Sequence, residues 1–142
     1  VNGHAITGGF ELALNCDFLI ASEKASFADT HAKVGIHPGW GMTQLLQQAI
    51  GQRRAKQMSF TGAFIHADQA CRWGLVNEVV PHEMLLPRVR EIARQIENLD
   101  PNMLGVIKNL IEVRNIESLA SALASERQGF EAFLKMHLQG GA

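Results

Sequence analysis

The chain changes character at Pro81. Before it, apolar segments are short and are interrupted by glycine and proline, as in GGFELAL (residues 8–14) and GIHPGWG (residues 35–41). After it, three long amphipathic patterns follow, over residues 84–99, 103–114 and 119–137. Short strands that alternate with short helices are typical of α/β folds, whereas long apolar stripes at helical spacing indicate packed helices. We therefore predict an α/β region over residues 1–80 and a helical region over residues 81–142.

Glycine stops and apolar runs predict the individual elements. Val1-Asn2-Gly3 predicts a strand leading into a turn, and the glycine pair Gly8-Gly9 predicts the start of a helix that ends near residues 15–17. The remaining runs predict strands over residues 17–22, 25–29 and 75–80, and helices over residues 42–50, 52–60 and 67–73. In the helical region, Pro101 suits a first helical turn and Ser118 suits a helix cap.

Composition excludes several classes of protein. The 142 residues carry a net charge of −1 and are 46% apolar, which is typical of a globular domain with a core. Basic residues are scattered, and Arg53-Arg54 is the one adjacent basic pair, so no nucleic-acid partner is expected. No apolar run approaches the roughly 18 residues that span a bilayer, so we expect no membrane span.

The two cysteines, Cys16 and Cys71, lack metal-ligand spacing and are predicted to be small buried apolar residues. Neither a disulfide nor a metal site is expected, which favours a reducing compartment: the cytoplasm of a bacterium or, in a eukaryote, an organelle matrix. No targeting signal is visible. The residues from Val1 onward are typical of an internal segment of a protein.

Glu11 follows the glycine pair in the first helical turn. Glycines let the backbone approach a ligand, and the free N–H groups of a helix start point at negative charge. A carboxylate beside such amides suits acid/base chemistry on a carbonyl compound. The alternative is an ordinary helix start with an acidic residue that compensates the helix dipole.

His31 lies in a short polar segment and, by itself, predicts a surface side chain. The histidines at positions 4, 37, 66 and 82 form no spaced pair that would indicate a metal.

Three segments together carry a family resemblance. They are VNGHAITGGFELALNCDFLIASEKASFA (residues 1–28), GIHPGWGMTQLLQQAIGQRRAKQMSFTG (residues 35–62) and ADQACRWGLVNEVVP (residues 67–81). In this order they resemble the crotonase or enoyl-CoA hydratase/isomerase superfamily. The resemblance implies the C-terminal part of a crotonase-like ββα spiral over residues 1–80. It also implies a helical trimerisation region over residues 81–142 that helps to cover the active site, in a homo-oligomer that is a trimer or a dimer of trimers.

The resemblance also implies the substrate and the site. The substrate is an acyl-CoA thioester, and no separate cofactor is implied because coenzyme A is part of that substrate. The N–H of Gly8 corresponds to one of the two groups that hold the thioester enolate, and Glu11 corresponds to the first catalytic glutamate. The other oxyanion N–H and most coenzyme A contacts correspond to a segment upstream of Val1, because the chain resembles only the C-terminal half or so of the family unit.

His31 is the departure from the family pattern, since family hydratases carry a second glutamate twenty positions after the first. One possibility is that His31 replaces that glutamate as acid/base in an enoyl-CoA hydratase. Another is that a single acid/base group serves an isomerase, a decarboxylase or a thioester hydrolase. A third is a non-catalytic acyl-CoA-binding subunit. Asp29 is a nearby acid, but its position two residues earlier predicts that it points elsewhere.

Three further residues are predicted to contact substrate: Gly9, Trp40 and Phe130. Trp40 and Met42 flank the loop that in the family runs close to the acyl chain, and the alternative for both is packing in the core. Phe130 lies on the terminal helix with Phe133 and Lys135, where plain helix packing is the alternative for the phenylalanines. We also expect the chain by itself to expose apolar surface.

Overall fold

The computed structural model describes residues 1–139. Five strands are present among them: β1 (His4–Ile6), β2 (Ile20–Ser22), β3 (Ser26–Ala28), β4 (Ile65–His66) and β5 (Glu78–Val80). The helices of the α/β part are α1 (Gly8–Leu14), α2 (His31–Val34), α3 (Met42–Ile50), α4 (Gln52–Thr61) and α5 (Ala67–Arg72). A short 3₁₀ turn (His82–Met84) precedes the long helices α6 (Leu85–Glu97), α7 (Pro101–Val113) and α8 (Leu119–Gln139). Internal contacts divide the chain into two compact units, Val1–Ile92 and a second unit that begins at Ala93.

The sheets of the first unit are small, and parallel pairing dominates them. β1 pairs in parallel with β3, with Ile6 opposite Ala28, and β4 adds to the other edge of β3 in the antiparallel direction. β2 and β5 form a separate parallel pair. Because neighbouring parallel strands end at the same edge, the segments after Ile6 and after Ala28 leave the sheet side by side.

The core of the first unit lies between these strands and α1, α3, α4 and α5. Phe10 and Phe27 are fully buried, with ring centroids 5.4 Å apart. Met42, Leu46 and Met58 belong to the same hydrophobic cluster and are also buried. The core therefore anchors α1 through Phe10 and β3 through Phe27, the two elements from which the candidate site extends.

The second unit consists of helices with well-defined starts. Pro101 is the first residue of α7, and the side chain of Asp100 accepts hydrogen bonds from the N–H groups of Asn102 and Met103. The hydroxyl of Ser118 accepts the N–H of Ser121 at 3.2 Å at the start of α8. Both predictions, Pro101 in a first turn and Ser118 as a cap, are confirmed.

Some sequence-based predictions of local structure are wrong. Residues 1–3 form no strand, because the ladder with β3 begins only at His4. Cys16 is exposed rather than buried, since it follows the last turn of α1, and Cys71 is half-buried. The two-residue strand β4 was not predicted, and the strands over residues 17–22 and 75–80 are shorter than expected. Within residues 1–139, no helix has the length and apolar character needed to cross a membrane.

Candidate active site

The parallel pairing of β1 and β3 positions the site. Thr7 directly follows β1 and has φ +52°, a left-handed conformation that is strained for a β-branched residue. Its N–H donates to the carbonyl of Ala28 at 2.9 Å, and its hydroxyl is hydrogen-bonded to the hydroxyl of Thr30. These bonds join the start of α1, at Gly8, to the start of α2, at His31.

Glu11 is buried in the first unit, with 2% of its surface exposed. Its Oε1 accepts the backbone N–H groups of Trp40 at 2.9 Å and of Met42 at 3.2 Å. A buried carboxylate requires such partners, because burial without hydrogen bonds is costly. Oε1 is thereby fixed against the loop before α3, and Oε2 is turned toward His31.

His31 is buried as well, at 6% exposure, so the expectation of a surface side chain is wrong. It is the first residue of α2, and its Nε2 lies 3.7 Å from Oε2 of Glu11. The structure thus brings together the two residues that the sequence proposed as a catalytic pair. Their separation is longer than a hydrogen bond, so the two atoms face each other without a firm direct bond.

Asp29 does not point elsewhere, contrary to the prediction. Its Oδ1 lies 2.7 Å from Nδ1 of His31 and accepts the backbone N–H of His31 at 3.1 Å. Burial alone would raise the pKa of the Asp29 carboxyl, but hydrogen bonds from Ser59 and His31 outweigh it and hold that pKa below its usual value. An ionised Asp29 can only accept, so the short contact requires a hydrogen on Nδ1 of His31.

That assignment defines what the pair offers to a ligand. With the hydrogen on Nδ1, Nε2 of a neutral imidazole is an acceptor, and Oε2 of an ionised Glu11 is an acceptor too. Two acceptors 3.7 Å apart suit one small molecule that donates to both. Water is such a molecule, and its oxygen lone pairs then point away from the pair.

A cleft of about 440 Å³ lies beside the start of α1 and is lined by Gly8, Gly9, Leu12, Asn15 and Trp40. Trp40 is 71% exposed, and a ring carbon lies 3.4 Å from where a Cβ on Gly8 would be. Asn15 links α1 to the loop before α3, because its amide donates to the carbonyls of Glu11 at 2.8 Å and Trp40 at 2.9 Å. Gly8, Gly9 and Trp40 therefore line one cleft, and their contact with substrate stays a prediction.

Met42 and Phe130 are the remaining candidates. Met42 is fully buried, so its side chain packs in the core. Phe130 lies on α8 in the second unit and is 60% exposed, and its contact with substrate stays a prediction. Among the described residues, no group of three or more His, Cys, Asp or Glu side chains has the arrangement of a metal site.

The model of the family described as enoyl-CoA hydratase/isomerase matches residues 1–141. The chain belongs to this family. It is 43% identical over 133 residues to a probable peroxisomal enoyl-CoA hydratase 1 of Arabidopsis thaliana, a match that covers 94% of this chain and 50% of that protein. It is 50% identical over 96 residues to a crotonyl-CoA hydratase of Syntrophomonas wolfei subsp. wolfei, covering 68% of this chain and 37% of that protein.

Solved structures of the family share the fold. An enoyl-CoA hydratase subunit I structure from Geobacillus kaustophilus HTA426 superposes with a TM-score of 0.90 at 36% identity, covering 95% of this chain and 52% of that one. The predicted α/β crotonase-like fold is thus confirmed. The chain spans about half or less of the length of these curated relatives.

The contact of Asp29 with His31, the bond from Ser59 and the Thr7–Thr30 bond were not predicted from the sequence. A usable signal was present for Asp29, because an acid two residues before a helix start often accepts a backbone N–H in an Asx turn. With that turn, Asp29 lies on the same side as His31. No local signal marks Ser59, which reaches Asp29 from α4 and is distant in sequence.

Proposed function

We propose that this chain carries the acid/base pair of an enoyl-CoA hydratase, which adds water across the C2=C3 bond of a trans-2-enoyl-CoA. One observation carries the proposal: Oε2 of Glu11 and Nε2 of His31, both buried, face each other at 3.7 Å beside the start of α1. The names of the relatives support it, because those proteins are described as enoyl-CoA and crotonyl-CoA hydratases.

In the proposed reaction, Glu11 and His31 hold one water as acceptors of its two hydrogens. The water oxygen bonds to C3 while one of its protons passes to the pair, and the π electrons move onto the thioester as an enolate. The N–H of Gly8, at the start of α1, stabilises the enolate oxygen. A proton from the pair then returns to C2, so that one water is added and the pair is regenerated.

The rest of the molecule is assigned supporting roles. Gly9 and Trp40 form walls of the cleft at Gly8 and are proposed to contact the acyl thioester. Phe130 is proposed to contact coenzyme A or a neighbouring subunit. No separate cofactor is needed, since the reaction is a proton and water transfer. Residues 81–142 are proposed to assemble a homo-oligomer, a trimer or a dimer of trimers, because their helices expose apolar side chains.

The test is a single-turnover reaction of the full-length protein with a short trans-2-enoyl-CoA in ¹⁸O-labelled D₂O, read by mass spectrometry. Hydration predicts a product with one solvent oxygen on C3 and one carbon-bound deuterium on C2. Glu11→Gln is expected to lower the rate about 1,000-fold. The matched control is Glu83→Gln, an exposed carboxylate in the 3₁₀ turn, which is expected to leave the rate unchanged.

Other outcomes select the alternatives. Deuterium without oxygen in the product would indicate an isomerase with a single acid/base group, and free coenzyme A would indicate a thioester hydrolase. Tight binding of the acyl-CoA with no turnover would indicate a binding subunit. Any of these three results would overturn the hydratase proposal.

A further inference from the structure

We propose that Asp29 is a positioning residue for His31, which keeps the imidazole in its Nδ1–H form and holds Nε2 toward Glu11. This inference rests on the proposed function for its effect on turnover, but its structural part is independent of the reaction. Asp29 contacts Nδ1 of His31, whereas Glu11 faces Nε2 on the other side of the ring.

Asp29 holds both the backbone and the ring of His31. Its Oδ1 accepts the backbone N–H of His31 at 3.1 Å and faces Nδ1 at 2.7 Å. One oxygen thus fixes where α2 begins and how the first side chain of α2 is turned. A ring with the opposite orientation would place a C–H against this oxygen and lose the shorter bond.

The Asp29 carboxylate is buried. Asp29 is 2% exposed, so water cannot replace a lost hydrogen bond from the imidazole. Ser59, on α4, gives the carboxylate another hydrogen bond and ties it to a different element of the unit. A buried, ionised carboxylate that loses a donor carries a large penalty. The flipped ring and the Nε2–H form are both disfavoured for this reason.

Asp29 also affects the proton that His31 receives from water. Two carboxylates face the imidazole of His31: Glu11 from α1 and Asp29 from the turn before α2. When a water proton moves to Nε2, the ring becomes a cation between them, and the carboxylate at Nδ1 stabilises that cation. The effect of Asp29 is therefore expected in kcat, with little change in KM.

The experiment compares Asp29→Ala and Asp29→Asn in the full-length protein, with ¹⁵N NMR of the His31 ring and steady-state kinetics. In Asp29→Ala we expect the Nδ1–H form to be lost and kcat to fall about 100-fold, with KM changed less than about threefold. In Asp29→Asn the amide oxygen can still accept both the backbone N–H and the Nδ1–H of His31, so the Nδ1–H form is expected to persist. The negative charge beside the imidazole is lost, so kcat is expected to fall about tenfold. The control is Asp68→Asn, an exposed acid paired with Arg72, with no expected effect.

An unchanged Nδ1–H signal in Asp29→Ala, or a kcat equal to that of Asp68→Asn, would overturn the proposal. If Asp29→Ala does not fold, Asp29→Asn decides: a tenfold loss in kcat at constant KM supports the proposal, and no loss overturns it. If the wild-type protein adds no water to an enoyl-CoA, the proposed function fails. The NMR comparison of wild type and variants then still decides whether Asp29 positions His31.

Discussion

The two units of the chain differ in which side chains they bury and which they expose. In residues 1–92, apolar side chains form a dense core, and the buried charged and polar groups Glu11, Asp29 and His31 all have partners. In the second unit, among residues 93–136, whose burial is described, Ala122 is the one buried apolar residue. Large side chains such as Ile111 and Leu123 are exposed there.

This difference in burial indicates different functions for the two units. A unit that buries titratable groups with full hydrogen bonding has a rigid, preorganised site. A helical unit that exposes a run of apolar side chains presents a surface that another molecule or segment covers. We infer that chemistry belongs to the first unit and association to the second, and the following predictions test that division.

The largest expected effect is on the core of the first unit. Phe27→Ala removes a fully buried ring that packs on Phe10, and we expect a loss of about 3–5 kcal/mol in the free energy of unfolding. Leu123→Ala in α8 removes a side chain that is 56% exposed, and we expect a loss below about 1 kcal/mol within the second unit. Denaturant unfolding of both variants measures the contrast, and equal losses would break it.

The next effect is on catalysis. His31→Gln keeps a polar side chain but removes the acid/base group, and we expect kcat to fall about 100-fold, which is about 2.7 kcal/mol of barrier. His66→Gln is the matched control, since His66 is exposed on β4. Hydration kinetics of the two variants decide the point. If they lose activity equally, His31 has no special role.

A smaller effect is expected at the strained turn. Thr7→Val keeps the branched shape but removes the hydroxyl that bonds to Thr30, so we expect a loss of about 1–2 kcal/mol in unfolding free energy. Thr43→Val, at an exposed position of α3, serves as the control, with an effect below about 0.5 kcal/mol. Thermal unfolding distinguishes the two, and a neutral Thr7→Val would show that the turn needs no hydroxyl bond.

The smallest effect concerns acid. The folded-state pKa of Asp29 is lowered from 3.8, so its ionised form stabilises the fold above about pH 3.8. That contribution is lost as the pH falls below 3.8 toward the folded-state pKa. Asp29→Asn is expected to make the unfolding free energy fall less steeply with decreasing pH in this acid range. The change in slope corresponds to less than one bound proton. A slope as steep as that of the wild type would contradict a stabilising role for ionised Asp29.

Much of the fold and part of the site are predictable from the sequence, and the reason is local. Gly8-Gly9 and the apolar residues that follow indicate a helix start, and Pro101 and Ser118 indicate two more. These signals act through residues close in the chain. The positions of Glu11 and His31 in the family pattern also suggested the pair that the structure brings together.

What escaped prediction depends on contacts between distant residues. His31 is buried because β1 and β3 pair in parallel and leave the sheet together, which no short motif encodes. Two further hydrogen bonds also join separate elements: that from Ser59 to Asp29 and that from the Asn15 amide to the Trp40 carbonyl. β4 has two residues, too few for any period to appear in the sequence.

The central claim is that Glu11 and His31 act on one water as a unit, and a double-mutant cycle in kcat tests it most directly. We expect Glu11→Gln to cost about 1,000-fold and His31→Gln about 100-fold, and the double variant to be no slower than Glu11→Gln alone. Groups that serve one step lose their function together. If the double variant loses the product of the two, about 100,000-fold, the residues act independently and the claim is wrong.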